Sequence, residues 1–197
     1  MGALTLANTP LDLQITICMF LHPSDILALR KVCHQSTLES FICLRHIKTC
    51  KALELATRKR IVWMTALHRV CLDNTLFLPS FPIPDMSDLE LERAAMVPRR
   101  WIELCNAFQE QYSNDSSEIL GPRTTRFITG GAKSVFIVPG GRYLVTADNG
   151  LFVWDLGYDS TFDCKLVASV ELEVYLEVFE VQTTPDGKGL VILSCYK

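Results

Sequence analysis

Residues 9–31, TPLDLQITICMFLHPSDILALRK, have the pattern of a helix that starts beside one proline and ends before another. Thr9, Pro10 and Asp12 have the form of a capping box, with a hydroxyl before the helix, proline at its first position and a carboxylate three residues after the cap. Four apolar residues then recur with the spacing of one helical face, namely Leu13, Ile17, Phe20 and Leu21. The stretch therefore predicts a helix that begins at Pro10 and ends before Pro23.

Helical spacing continues beyond this stretch. A second helix is expected from Ile26 onwards, behind a polar Ser-Asp pair. Further helical patterns cover 51–72, about 88–96 and about 99–112. A proline-rich loop at 79–84 separates the first of these patterns from the other two, and the polar segment SNDSSEILGP at 113–122 has the composition of a linker.

From Ser134 the pattern changes to short strands joined by tight turns. The apolar runs SVFIV, RYLVTA, LFVWD and KLVASV are separated by turn residues, among them Pro139-Gly140-Gly141 and Asn149-Gly150. An Asn-Gly pair is a strong hairpin signal because both residues tolerate positive φ. The predicted fold class is therefore α+β, with an N-terminal all-helical module followed by an antiparallel β-meander.

The β region also contains a partial internal repeat. PDGKGLV at 185–191 aligns with PGGRYLV at 139–145 at an offset of 46 residues (185 minus 139). This offset is close to the roughly 40–45 residues of one propeller blade. The patterns together divide the chain into a helical domain at 1–72, a helical connector and linker at 73–122, and a β unit at 123–197.

Composition excludes several classes of function. The net charge is -3 at pH 7, and the one basic cluster is Arg58-Lys59-Arg60, whereas nucleic-acid binding normally needs a basic patch or stripe. No apolar run approaches the roughly 18 residues of a membrane span, and the N-terminus lacks a secretory pattern. Eight cysteines at irregular spacing then indicate reduced thiols. We expect a soluble cytoplasmic or nuclear protein that binds neither nucleic acid nor membrane.

The stretch 9–31 resembles the F-box, a small helical module that docks onto the Skp adaptor subunit of cullin-type ubiquitin ligases. Its pattern is filled here by Pro10, Asp12, Leu13, Ile17, Phe20, Leu21, Pro23, Asp25, Ile26 and Leu27. The chain departs from the pattern at Thr9, where leucine is usual. The resemblance implies binding to the Skp adaptor, and through it to a cullin, by Pro10, Leu11, Leu13, Ile17, Phe20, Leu21, Pro23, Ile26 and Leu27.

The stretch FIVPGGRYLVTADNGLFVWDL, 136–156, resembles one WD-repeat blade and ends with the Trp154-Asp155 pair that names the family. In F-box proteins of this type a β-propeller holds the target protein while the F-box holds the ligase. The resemblance implies a substrate-recruiting adaptor with an incomplete propeller, because a closed propeller needs roughly four to eight blades. The target protein is not identified by the sequence.

Residues 32–48 interrupt the F-box resemblance. If they are removed, Lys31 is followed directly by Thr49, and the joined sequence LRK-TCKALELATRKRIVW fits the family pattern. The segment is interpreted as an insertion, either a retained intron or a natural one. It either lengthens the second helix and displaces the next, or loops out. Its deletion is expected to raise stability and to tighten adaptor binding.

The same region holds a cluster of soft metal ligands, Cys33, His34, Cys43, His46 and Cys50. Only part of the cluster has the short spacing that zinc sites need, so we expect no metal and no cofactor. The alternatives are a small zinc-binding helical domain with a β appendage, or a truncated non-functional product. No nucleophile motif, paired carboxylates or nucleotide fingerprint is found, so the chain is not expected to be an enzyme. Trp63 and Trp101 are expected to anchor the core.

Overall fold

The computed structural model describes residues 9–39, 44–112, 132–158, 163–173 and 175–196, with the backbone alone at 32–39, 44–50, 108–112, 179 and 196. The chain forms two compact units. The helical unit comprises Met1–Val70 and Ile83–Ala107, and the β unit comprises Cys71–Pro82 and Phe108–Lys197. The predicted α+β class is confirmed: helices precede antiparallel sheets. The predicted linker at 113–122 lies outside the described residues.

Six α-helices precede the strands in the described part of the chain. They are α1 (Leu11–Phe20), α2 (Pro23–Glu39), α3 (Leu44–Thr57), α4 (Arg60–Asp73), α5 (Asp88–Ala95) and α6 (Val97–Tyr112). None of these helices, over the residues described, is long and apolar enough to cross a bilayer.

Helix α1 begins one residue later than predicted. The carbonyl oxygen of Pro10 accepts the first helical hydrogen bonds, from the N–H groups of Leu13 and Gln14 at 3.1 and 3.2 Å. Pro10 is therefore the N-cap residue, and proline has no side-chain acceptor. The N-cap position predicted at Thr9 is wrong. The helix ends at Phe20, where the backbone of Leu21 turns to an extended conformation.

Helix α2 begins at Pro23, because proline fits the first helical position, where its missing N–H is not needed. The ring nitrogen Nδ1 of His22 accepts a hydrogen bond from the backbone N–H of Ser24 at 3.3 Å. The backbone carbonyl of His22 accepts the N–H groups of Asp25 and Ile26. His22 thus caps α2 immediately after α1 has ended.

The described parts of the proposed insertion, 32–39 and 44–48, belong to α2 and α3, and 40–43 lie outside the described residues. Helix α2 runs through Lys31 to Glu39, and α3 begins at Leu44 and packs against it. The far end of α3 returns to the first half of α2, where the Arg30 side chain donates to the carbonyl oxygen of Thr57 at 2.9 Å. The second helix is therefore longer, as one of the two predicted outcomes requires. The end of α3 nevertheless lies beside Arg30 in the first half of α2.

A polar network joins α2 and the end of α3 to other helices of the helical unit. Arg30 pairs with Glu92 at 2.8 Å and lies over the ring of Trp63, 5.6 Å from its centroid. The indole N–H of Trp63 donates to the carbonyl oxygen of Thr57 at 2.8 Å. The predicted burial of Trp63 is confirmed, whereas Trp101 is largely exposed and the prediction for it is wrong. The same unit also buries the side chains of Ile26, Val62, Leu67 and Leu91.

The β unit contains two antiparallel sheets. Their strands are β1 (Ser134–Ile137), β2 (Tyr143–Ala147), β3 (Gly150–Asp155), β4 (Lys165–Glu171), β5 (Leu176–Thr183) and β6 (Leu190–Tyr196). The first sheet has the order β1-β2-β3-β4, and the second pairs β5 with β6. Strand β5 also contacts β1 and β2. The core between them consists of buried Ala147, Leu176 and Val178, with Phe136, Leu151, Val181 and Ile192 packed against it.

The turns of β1–β2 and β5–β6 carry the same hydrogen bonds at the offset found in the sequence. The N–H of Val138 donates to the Tyr143 carbonyl oxygen, and 46 residues later Thr184 donates to Gly189. The N–H of Gly141 donates back to Val138, as that of Gly187 does to Thr184. Gly141 and Gly187 both have positive φ, 78° and 69°, which glycine adopts without steric cost. The internal repeat is therefore structural.

Both turns are bound by one segment, residues 71–82, which we call the strap. The N–H of Phe77 donates to the carbonyl oxygen of Pro139 and that of Leu78 to Gly187, each at 2.8 Å. The Phe77 ring also meets that of Tyr143 edge to face, with centroids 5.6 Å apart. The sequence placed these residues in the connector at 73–122, whereas their contacts place them in the β unit.

An ion pair at the strap joins the residue before β2 to the last residue of β3. Arg142 binds both carboxylate oxygens of Asp155, at 2.9 and 2.7 Å, and also donates to the carbonyl oxygen of Pro79 at 3.3 Å. The Arg142 hydrogen bonds lower the pKa of Asp155. The indole N–H of Trp154 donates to the hydroxyl oxygen of Thr146 on β2 at 2.9 Å. The Trp-Asp pair therefore fastens β3 to β2 and to the residue before β2.

Candidate docking surface on helix α1

The residues predicted to bind a partner divide into an exposed and a buried group. Leu13, Ile17 and Phe20 of α1 are 53%, 40% and 74% exposed, and Pro10 and Leu11 at its start are also exposed. By contrast, Ile26 and Pro23 are buried, and Leu21 and Leu27 are half-buried. The structure thus keeps part of the predicted set at the surface and places the rest in or beside the core of the helical unit.

We call Leu13, Ile17 and Phe20 the α1 stripe. At about 100° per residue the three positions lie within about 60° of one another around the helix axis. Their side chains therefore form one continuous apolar strip along the outer side of α1. Asp12 is the only charged residue in the sequence of α1, so the helix itself contributes little charge beside the strip. Scattered exposed apolar residues are ordinary, but an aligned set of this kind is typical of an interaction surface.

Sequence reasoning missed the residues on the inner side of α1. Gln14 and Cys18 are each 1% exposed, and the side-chain amide of Gln14 donates to the carbonyl oxygen of Thr9 at 3.2 Å. Burial raises the pKa of the Cys18 thiol, which keeps it protonated. The helical spacing of Leu13, Ile17 and Phe20 gave no sign that this face points outward. The preference of cysteine for buried positions was the one available signal for the inner face.

The β unit contains a pocket that none of the residues predicted to bind a partner lines. Its volume is about 320 Å³, and Lys133, Tyr175, Leu176 and Glu177 line it. The ammonium group of Lys133 lies 3.3 Å from the centroid of the Tyr175 ring and 3.6 Å from a carboxylate oxygen of Asp148. The lysine charge is therefore already balanced by an aromatic face and a carboxylate.

The described residues contain no group of three or more side chains able to hold a metal ion. The cluster of Cys33, His34, Cys43, His46 and Cys50 lies outside the described side chains, so the zinc alternative remains a prediction. Among the described cysteines, Cys18 and Cys71 are buried and unbridged, and burial raises the pKa of the Cys71 thiol to about 12. Both act as small apolar core residues.

Comparisons of the chain with protein-family models, with curated proteins and with solved structures found no match.

Proposed function

We propose that the chain is a substrate-recruiting adaptor of a Skp-cullin-F-box ubiquitin ligase, and that it binds the Skp adaptor through the α1 stripe. The observation that carries the proposal is the exposure of Leu13, Ile17 and Phe20 on one side of α1. These three residues belong to the set that the F-box resemblance assigns to the adaptor interface. A partner that covers them gains roughly 1.5–3 kcal/mol for each apolar side chain that becomes fully buried.

The division of the predicted set supports this role. Ile26 and Pro23 stabilise the helical unit from inside, so the outer side of α1 is left to contact a partner. Apolar burial drives such an association, and a few central side chains supply most of its free energy. The ligase subunits perform the chemistry, and this chain contributes position: it raises the local concentration of the target's lysines near the ligase.

The β unit has the features expected of a target-holding module. It contains a four-stranded antiparallel meander and a second hairpin packed beside it. Two of its turns repeat the same backbone hydrogen bonds at an offset of 46 residues, with Val138 and Thr184 as the corresponding donors. These features support a WD-repeat type of architecture. We propose that targets of the ligase bind this unit, whereas the Skp adaptor binds the helical unit.

The test is direct binding of the full chain to the purified Skp adaptor. Leu13→Asp and Phe20→Asp each place an unpaired charge in the proposed contact, and we expect the affinity to fall about 100-fold or more. Leu55→Asp is the matched control, because Leu55 is an exposed leucine of α3 in the same unit. It should leave the affinity within about two-fold of the original.

Far-UV circular dichroism of all three variants checks that the helices persist. Wild-type affinity of both α1 variants, with helical content retained, would refute the proposed function. An equal loss of affinity in Leu55→Asp would show that the adaptor contact is not confined to α1.

A further inference from the structure

Helix α1 ends without a basic residue of its own in its last turn. The last carbonyl groups of any helix lack intrahelical partners, and the end of the helix carries partial negative charge. Arg69 of α4 supplies both needs. Its Nη1 donates to the carbonyl oxygen of Phe20 at 2.8 Å, and its Nη2 donates to that of Met19 at 2.9 Å. One guanidinium therefore caps two consecutive carbonyls across about fifty residues of sequence.

The capped turn carries the most exposed large apolar side chain among the residues described, that of Phe20 at 74%. So exposed a ring receives little support from neighbouring side chains, and its direction follows the backbone of the last turn of α1. A ten-residue helix is marginal without tertiary support and frays at its ends. A frayed turn would leave the ring in many orientations, and a partner would have to order it on binding.

We infer that Arg69 is a positioning residue for adaptor docking: it fixes the carboxyl end of α1 and thereby the direction of Phe20. The inference rests on the proposed function for its consequence in binding, but its structural part stands on the two hydrogen bonds alone. Arginine suits this task because its planar fork presents several N–H groups at fixed angles, whereas lysine presents a single ammonium.

The experiment is a double-mutant cycle on the full chain, read out as affinity for the purified Skp adaptor. Its variants are Arg69→Met, Phe20→Ala and the combination of the two. We expect Arg69→Met alone to weaken binding about five-fold, the scale of a charged group at a helix end. In the Phe20→Ala background the same change should weaken binding less than two-fold, because the side chain that Arg69 positions is gone.

Two further variants define the chemistry. Arg69→Lys keeps the charge and one donor, so it should restore part of the lost affinity. Arg58→Met removes an exposed arginine elsewhere in the helical unit, one that pairs with Glu54 at 2.7 Å. It should leave binding unchanged, which separates the capping role from a general loss of positive charge.

Hydrogen exchange of the free protein tests the structural part without any partner. Arg69→Met should speed amide exchange in the last turn of α1 and leave exchange in α5 unchanged. Unchanged exchange in α1 would overturn the positioning role. Faster exchange with an equal loss of affinity in both backgrounds would also overturn it, since Arg69 would then act independently of Phe20. Wild-type affinity of Phe20→Ala itself would instead refute the proposed function at this residue.

Discussion

The helical unit and the β unit both expose apolar side chains, but among the residues described only the β unit exposes unpaired strand backbone beside them. On α1 the helix pairs most of its own backbone groups and Arg69 caps two carbonyls at its end, so mainly side chains face solvent, those of the α1 stripe among them. On β6, which pairs on one side only among the described strands, the exposed Val191 and Leu193 accompany a free backbone edge. A side-chain stripe selects a partner by shape, whereas a strand edge accepts any extended segment.

Strands β4 and β6 each lie at the edge of their sheet, and they differ in how well that edge is protected. Lys165 and Glu171 stand at the ends of β4, and its register with β3 shifts where Val167 lies as an extra residue. Charges and bulges of this kind oppose edge-to-edge pairing. Strand β6, LVILSCY, has seven uncharged residues and neither Gly nor Pro. Its edge is therefore the less protected of the two.

The largest effect on the free energy of unfolding is expected at a buried aromatic residue of the helical unit, and an exposed one in the same unit provides the comparison. Trp63→Ala leaves a cavity and removes a donor to Thr57, so we expect the free energy of unfolding to fall by about 3–5 kcal/mol. Phe20→Ala should change it by no more than about 0.5 kcal/mol. Urea unfolding followed by far-UV circular dichroism measures both. A large loss in Phe20→Ala would mean that the α1 stripe supports the fold and is not reserved for a partner.

An intermediate effect is expected where the strap meets the first turn of the β unit. Gly140 has φ of 112°, and a Cβ there would lie 2.6 Å from the hydroxyl oxygen of Ser80. Gly140→Ala should therefore destabilise the β unit by about 2–3 kcal/mol. Gly141 also has positive φ but open space beside it, so Gly141→Ala should cost only about 1 kcal/mol. Amide exchange in β1 and β2 reports the difference.

Equal destabilisation by the two alanines would mean that backbone conformation alone matters at this turn. The contact between the strap and Gly140 would then contribute little to the stability of the β unit.

Local patterns predicted much of the secondary structure, and tertiary contacts decided the rest. The helical pattern over 51–72 gave no sign of an interruption, but one helix ends at Thr57 and the next begins at Arg60. The carbonyl oxygen of Thr57 instead accepts hydrogen bonds from the side chains of Arg30 and Trp63. Both donors come from other helices, so a tertiary contact ends the helix here. The sequence has no glycine or proline at 57–60 that could have indicated this end.

The candidate docking surface was predictable in its spacing and not in its orientation. Periodicity identified Leu13, Ile17 and Phe20, but a ten-residue helix that is apolar on most sides does not reveal which side is covered. The inner side is determined by helices that follow much later in the chain. The strap was missed for a related reason, since the N–H groups of Phe77 and Leu78 make its main contacts and backbone groups leave no mark in the sequence.

The packing of α2 against α3 changes what the proposed insertion implies. The expected harm from 32–48 assumed that a longer second helix would carry the next helix away. Thr57 nevertheless returns to Arg30, and Arg69 of α4 still reaches the end of α1. A gain in adaptor binding on deletion therefore no longer follows from the geometry, although the origin of the segment stays a prediction.

The last prediction concerns the edges of β4 and β6, where a small effect on stability is paired with a clear effect on association. Leu193→Lys places a charge on β6 directly opposite the exposed Glu180 of β5. A cross-strand pair of opposite charge is slightly favourable, so the free energy of unfolding should change by less than about 1 kcal/mol. The same lysine opposes the approach of a further strand, so aggregation of the full chain, followed by light scattering, should slow markedly.

Val167→Lys is the matched control, because Val167 is a comparably exposed apolar residue on β4. Strand β4 already carries a terminal charge at each end and a shifted register, so an added lysine should alter aggregation much less than the change at Leu193. Equal slowing by the two variants would show that added charge itself limits aggregation. The difference between the edges would then have no consequence for the behaviour of the β unit, and the contrast with the α1 stripe would rest on the helical unit alone.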